Sequence, residues 1–199
     1  MALKGDIDID LADRNLLLTH IQHIPAAMRN IVPNKRHSSG VYVTDLPYDP
    51  ITNMASIDYT VAEDRGYFKL DLLNVWVYTL VRDEEHLYEL MKEPDWEMLK
   101  DKTIVNNLIH LANHYDAIRH LKEPINSIPR LAMFLAAIRP SKRHLLGRTF
   151  KEMAEFVWLK DDSGYVFKKS HSLAYAQLVV VHMNLIKELG LEKATIQVV

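Results

Sequence analysis

Polar and apolar residues alternate with period two in two stretches, Asp6-Ile7-Asp8-Ile9-Asp10-Leu11 and Tyr67-Phe68-Lys69-Leu70-Asp71-Leu72. That period makes each a half-buried β-strand. Between them, residues 12–30 carry Leu16, Leu17, Leu18, Ile21 and Ile24 at helical spacing, which predicts a helix ending near Pro33. Residues 34–40 then read as a turn, 41–44 as a strand, Pro47 and Pro50 as loop markers, and 54–60 as another strand. Beyond Asn74 the pattern turns helical. Asp83 is placed to cap a helix over 84–92, and a stripe of Ile104, Leu108, Leu111, Tyr115 and Ile118 predicts a long helix over 103–121. Pro124 and Pro129 precede a helix over 131–138, and another follows over 150–159. Asp161-Asp162-Ser163-Gly164 turns the chain into a last long helix over 170–189, stopped by Gly190. The expected fold class is therefore α+β: a small sheet module over 1–82, then a helical module over 83–199.

At 199 residues and 48% hydrophobic content, the chain can bury one well-packed core or two small ones. A net charge of −2 gives no general basic coat, so any phosphate binding must come from local clusters. The absence of cysteine excludes disulfide frameworks and thiolate metal sites, and fits a reducing cytosol. The first residues lack an apolar signal segment. The longest apolar runs, such as 178–181, are too short to span a membrane. A soluble, cytoplasmic protein is expected.

The aspartate strand holds the sharpest candidate chemistry. Asp6, Asp8 and Asp10 share one face, where like charges repel and a cation removes the penalty. If the second strand pairs nearby, Asp71 completes a three-carboxylate cluster with Lys69 beside it, a donor set suited to magnesium. Taken alone, an Asp-x-Asp strand is more often a merely solvated face. Lys35-Arg36-His37-Ser38-Ser39-Gly40 has the composition of a phosphate-binding loop, or of an ordinary solvated connection. Lys168, Lys169 and His171 lie at a helix start that attracts anions. Tyr175, one turn on, could stack on a nucleobase or serve as a core tyrosine. Arg139, Lys142, Arg143, His144 and Arg148 could track a nucleic-acid backbone, or form a solvated helix end. His110 and His114, four apart on the expected helix, and His120 raise a zinc reading, but no His-Glu-x-x-His signature supports it.

In order along the chain, these motifs resemble those of the bacterial replicative DNA polymerase III alpha subunits, the C family. The aspartate strand and the Ala12-Asp13-Arg14 that follows resemble its first catalytic motif. Lys35-Arg36-His37-Ser38-Ser39-Gly40-Val41 resembles its basic-His-small-small-Gly turn. Gly66-Tyr67-Phe68-Lys69-Leu70-Asp71-Leu72-Leu73 resembles the strand bearing its third catalytic aspartate. Residues 130–140 resemble a fingers segment ending in Arg-Pro, and 164–175 its Phe-Asn-Lys-Ser-His-Ser-Ala-Ala-Tyr motif. Lys168 stands for the family's asparagine, and Ser141 breaks its Arg-Pro-Gly-Pro pattern. No stretch corresponds to the thumb, the phosphoesterase domain, the clamp-binding tail or the strongly basic part of the fingers.

The resemblance implies a beta-type nucleotidyltransferase palm followed by a helical fingers-like module. It implies that Asp8, Asp10 and Asp71 are catalytic and hold two magnesium ions, or manganese in their place. Lys35, Arg36, His37, Ser38, Ser39, Gly40, Lys69, Lys169, His171 and Tyr175 would bind a dNTP, and Arg139, Lys142, Arg143 and Arg148 the DNA primer-template. Another replication protein would supply the missing grip. The reduced architecture suggests a virus or mobile element. The rival expectation is a non-catalytic DNA- or nucleotide-binding module that regulates a larger polymerase. A third is one piece of a split polymerase.

Overall fold

The computed structural model describes residues 7–30, 33–160 and 167–195. Asp6 and the expected turn at 161–164 therefore lie outside the described residues. The fold is α+β with a small mixed sheet. The chain divides into two compact units, Met1–Thr79 and Leu80–Val199.

The first unit contains a four-stranded sheet among the described residues, in the order β1-β6-β3-β2. Strand β1 is Ile7–Leu11, and helix α1 (Arg14–His20) follows, capped by the Asp13 carboxylate, which accepts from the amides of Asn15 and Leu16. The helix expected over 12–30 stops at His20, and β2 (Ile24–Met28) takes its second half. The reason is local. Pro25 bars Ile24 from helical backbone, and β2 buries Pro25, Ala26 and Ala27. Strand β3 runs Lys35–Tyr42, so the expected turn at 35–40 is strand instead. A two-stranded hairpin of β4 (Tyr48–Asp49) and β5 (Met54–Ala55) follows.

The strand expected over 54–60 keeps only β5. Asp58 then caps α2 (Tyr59–Asp64), since its side chain offers the amide of Thr60 an acceptor that a strand would not. The last strand, β6, is Leu70–Asn74. Ala26, Ala27, Tyr42, Leu46, Met54, Ala55 and Ala62 form a core here, with Ile57 and Tyr59 packed against it.

In the second unit the capping aspartate behaves as expected. Asp83 starts α3 (Glu84–Leu90) by accepting from the amide of His86 at 2.8 Å. The helix expected over 103–121 is broken into α4 (Lys102–Asn107) and α5 (Tyr115–Arg119), with His110 and Asn113 at φ of 61° and 67° between them. The break is held from a distance by the buried His182. Its Nδ1 accepts from the amide of Ile109 at 3.1 Å, and its Nε2 lies 2.9 Å from the carbonyl of Ala194. Helices α6 (Ile128–Ala137) and α7 (Phe150–Phe156) lead to α8 (Lys169–Leu189) and the short α9 (Leu191–Ala194). Buried Leu131, Phe134 and Leu135 of α6, and Leu178, Val179, Met183 and Leu185 of α8, supply much of the core. The hydroxyl of Ser172 donates to the carbonyl of Ala132 and ties the two helices. Among the described residues, no helix is long and apolar enough to cross a membrane.

His182 makes the unit acid-sensitive. Burial holds its pKa below the ordinary imidazole value, and the bond to Ala194 opposes that only in part. A depressed histidine contributes stability that is present above its unfolded pKa and lost as pH falls through its folded one. His182→Leu strips the acceptor from Ile109 and the donor from Ala194. It should cost about 2–3 kcal/mol at pH 7.5 in urea denaturation, and flatten the stability profile between pH 7 and 5. A variant with wild-type stability and slope would show that the break at His110 holds without it.

Candidate functional site

Strands β1 and β6 are parallel, in a register that sets Asp8 opposite Asp71 and Asp10 opposite Leu73. Paired residues of a parallel ladder share a face, and residues two apart on one strand share it too. Asp8, Asp10, Asp71 and Lys69 therefore belong to one side of the sheet. Leu72, of opposite parity, is buried beneath it.

Asp71 itself is buried. Its Oδ1 accepts from the Ser39 hydroxyl at 2.7 Å, and its Oδ2 pairs with the Lys69 ammonium. What brings Ser39 there is an irregularity in the sheet. Pro25 pairs with Val41 while Ala27 pairs with Arg36, so residues 37–40 of β3 bulge between the two pairings. A bulge re-aims side chains that a regular ladder would point elsewhere. Within it, His37 Nδ1 accepts from the amide of Gly40 at 3.0 Å and, more loosely, from that of Ser39 at 3.4 Å. Gly40 lies opposite Asp71, and a Cβ there would come within 2.7 Å of Lys69 Cδ and 3.0 Å of His37 Nδ1. Only glycine lets the lysine stem pass across β3 to the carboxylate.

The imidazole of His37 lies 3.7 Å from Asp71, close enough to suggest an ion pair. It is not one. An Nδ1 that accepts from a backbone N–H carries no proton. Burial, then the charge of Lys69, push the His37 pKa down against the opposing pull of Asp71. The ring is neutral with its proton on Nε2, and it meets Tyr59 edge-on, with centroids 5.0 Å apart. On the other side of the aspartate face, burial and then the charge of Asp10 raise the Tyr78 pKa.

The turn expected over 34–40 is thus a bulged strand from Lys35 onward. The amides of Ser39 and Gly40 are turned onto His37 rather than offered to an anion, and Arg36 lines a separate cavity of about 630 Å³ with Gln22, His23 and Thr44. Lys35 and Ser38 are exposed on β3. His37, Ser39, Gly40 and Lys69 do converge on Asp71. Three further residues lie at this face without having been candidate site residues. Tyr78 borders Asp10, while Arg14 and Asn74 bond to each other through the Arg14 amide and the Asn74 carbonyl oxygen at 2.8 Å.

The donor set of this face is all oxygen, the chemistry that suits magnesium or manganese. Among the described residues, no three His, Cys, Asp or Glu side chains are gathered as a ready metal-holding group. Magnesium seldom uses such a cage. It is usually held by one or two carboxylates, with water and substrate phosphates completing its shell. The facing pair Asp8 and Asp71 meets that requirement, and Asp71 retains lone pairs beyond those given to Ser39 and Lys69.

The remaining expected residues lie in the second unit. Arg139 places its guanidinium 4.4 Å over the Phe167 ring. Phe167 meets Tyr175 at 5.6 Å, and Tyr175 stacks on His110 at 4.2 Å with the planes 12° apart. His171 meets Phe167 edge-on. The face of Tyr175 proposed for a nucleobase is therefore covered, and a base would have to displace His110. Lys169 opens α8. Arg143 donates from Nε to the carbonyl of Ile138, Lys142 donates to that of Phe156, and Arg148 lies over the Phe156 ring. Part of the basic cluster thus closes helix ends.

His110 and His114 do not share a helix, because the chain breaks at His110. Burial, then the charge of Arg139, lowers the His110 pKa, while burial, Arg143 and Arg139 lower that of His114.

Comparison with protein-family models, with curated proteins and with solved structures returns no match.

Proposed function

We propose that the chain is a DNA polymerase-like nucleotidyltransferase that joins dNTPs to a DNA primer 3′-hydroxyl on the Asp8–Asp71 face. The observation that carries this is the in-register placement of Asp8 against Asp71, with Asp10 one step along and Lys69 in contact with Asp71. A buried carboxylate facing a second carboxylate across a ladder is costly unless a cation is shared. Lys69 meets that need in this structure.

In this reading, Asp8, Asp10 and Asp71 hold two magnesium ions, which supply a more acidic primer hydroxyl and charge stabilisation at the leaving pyrophosphate. Ser39 keeps Asp71 oriented through its hydroxyl. Lys69, on the same face, would meet phosphate charge. In this reading Lys169 and His171 of the second unit would bind the triphosphate, and Arg139, Lys142, Arg143 and Arg148 would exchange their present contacts for the DNA backbone. The palm-like and fingers-like descriptions of the two units belong to the same proposal.

The contact of Lys69 with Asp71 also favours a second reading, a nucleotide- or DNA-binding module that regulates or completes a larger polymerase. There the lysine would occupy the cation position permanently. Primer extension with each dNTP and NTP, with and without magnesium and template, separates the two. Magnesium-dependent extension by the isolated chain is the expected result. Binding without turnover would replace the first reading by the second, and turnover only with an added subunit would make the chain one part of a split enzyme.

A further inference from the structure

We infer that Arg14 is the positioning residue of this site, a clamp that holds the bulge of β3 against β6 so that Ser39 and Gly40 stay on Asp71. It rests on the reading of the Asp71 face as the reacting site. Arg14 is the first residue of α1, four positions after Asp10, and its amide is fixed by the Asn74 side chain at the end of β6. From that anchor the guanidinium reaches the bulge. Nη1 donates to the carbonyl of Ser38, and Nη2 donates to that of Ser39 at 3.3 Å. One planar fork thus takes two consecutive carbonyls, a geometry that a lysine ammonium cannot copy.

The two sides of the bulge are held by different groups. His37 gathers the amides of Ser39 and Gly40, and Arg14 gathers the carbonyls of Ser38 and Ser39. Ser39 is bonded on both sides, and its hydroxyl is left pointing at Asp71 Oδ1. Without the fork, the carbonyl side of the bulge is released, and Ser39 can rotate off the carboxylate. Helix α1, β3 and β6 meet at this one residue, β6 through its amide and β3 through its side chain. The catalytic strand β1 and the bulge have no ladder in common, because β6 lies between them. Arg14 therefore links the element that follows Asp8 and Asp10 to the element that orients Asp71. Its fork goes to backbone carbonyls of the bulge, so its role is orientation.

Three measurements on the full chain test this. Arg14→Ala should speed amide hydrogen exchange at Ser39 and Gly40 by at least about tenfold while the core of α8 exchanges as in wild type. It should also lower kcat for magnesium-dependent extension about 10- to 100-fold with the KM for dNTP unchanged, the scale typical of groups that orient a metal-holding residue. Millimolar guanidinium should restore both properties in Arg14→Ala and do nothing to wild type. Arg14→Lys, which keeps the charge and serves if the alanine variant folds poorly, should exchange faster than wild type at the same two amides. Wild-type exchange at Ser39 and Gly40 in both variants would overturn the clamp, as would a KM rise with kcat intact. If wild type shows no turnover but the exchange changes and their guanidinium rescue appear, the clamp stands and the polymerase reading fails.

Discussion

Asp71→Asn should abolish magnesium-dependent nucleotide incorporation, and it should also weaken the first unit. The two effects have separate causes. Residues that merely orient a metal ligand cost 10- to 100-fold when lost, so neutralising the ligand itself should cost at least about 100-fold in turnover. The stability effect comes from Lys69. Its side chain is 16% exposed and pairs with an Asp71 side chain that is 11% exposed. Removing one partner of such a pair leaves a poorly solvated charge, which costs about 2 kcal/mol at this depth. The asparagine oxygen can still accept from Ser39, so the bulge itself should hold.

A second substitution then separates the causes. In Asp71→Asn/Lys69→Met the stranded ammonium is gone and a flexible apolar chain fills the gap beside Gly40. Stability should return to within about 0.5 kcal/mol of wild type, while incorporation stays absent. Urea denaturation and primer extension on the two single variants and the double read both quantities. Full activity in Asp71→Asn would remove this residue from the chemistry. A double variant whose loss of stability equals the sum of the two single losses would show that Lys69 and Asp71 contribute independently.

Asp58→Ala should be the most destabilising single substitution at a polar position of the first unit, at about 3 kcal/mol. The buried carboxylate accepts from four donors. The Thr60 amide and hydroxyl bond to one oxygen, and the amides of Arg29 (2.6 Å) and Asn30 (3.2 Å) to the other. It caps α2 and ties that helix to the end of β2, where Ala27 also bridges to Asp58. Loss of an N-cap alone costs about 1 kcal/mol, and each buried amide left without a partner adds about another.

The same bonds fix the pH dependence. Burial raises the Asp58 pKa, but the bonds from Thr60 and then from the two amides outweigh it and hold the group below its ordinary value. Asp49 adds to this. Hydrogen bonds from Thr52 and then Arg29 hold it down at about 2. Depressed carboxylates contribute stability that is present above their unfolded pKa and lost as pH falls through the folded one. The first unit should therefore lose stability steadily below about pH 4. Asp58→Asn should remove much of that slope. Hydrogen exchange at the Arg29 and Asn30 amides is the direct measurement, and protection at pH 7 unchanged in Asp58→Ala would refute the assignment.

Local signals in the chain were legible where the structure obeys local rules. The alternation in residues 6–11 and 67–72 marks two strands because one face of each is polar and the other apolar, although β6 itself begins only at Leu70 and Asp6 lies outside the described residues. Asp83 and Gly190 mark helix ends because capping needs only the neighbouring backbone. The Pro25 signal was also local, but Leu16, Leu17 and Leu18 outweighed it in the pattern, although Leu16 is 61% exposed in the fold.

What the pattern hid depends on distant partners. The break at His110 is stabilised through the amide of Ile109 by a histidine 73 positions beyond that residue. Nothing near residues 37–40 announces a bulge, because it exists only relative to the pairing of Pro25 and Ala27. Arg14 stood in the stretch resembling the first catalytic motif, but its reach to the bulge was hidden for the same reason. The pairing of Asp8 with Asp71 was foreseeable only as a possibility, since alternation gives a strand its face but not its neighbour.

The place of β1 in the sheet has a consequence for how the site comes into being. Among the described residues, β1 pairs only with β6 in its sheet, and β6 is the last strand of its unit to leave the ribosome. Its other described strands and α-helices are synthesised between Asp8 and Asp71, so the first strand waits longest for its partner. Parallel pairing across such a gap is slow to form because the loop must close before the ladder repays it. The carboxylates are thus brought face to face only when the rest of the unit is already in the chain. A nascent or truncated product ending before Leu70 would carry Asp8 and Asp10 without ever presenting the pair.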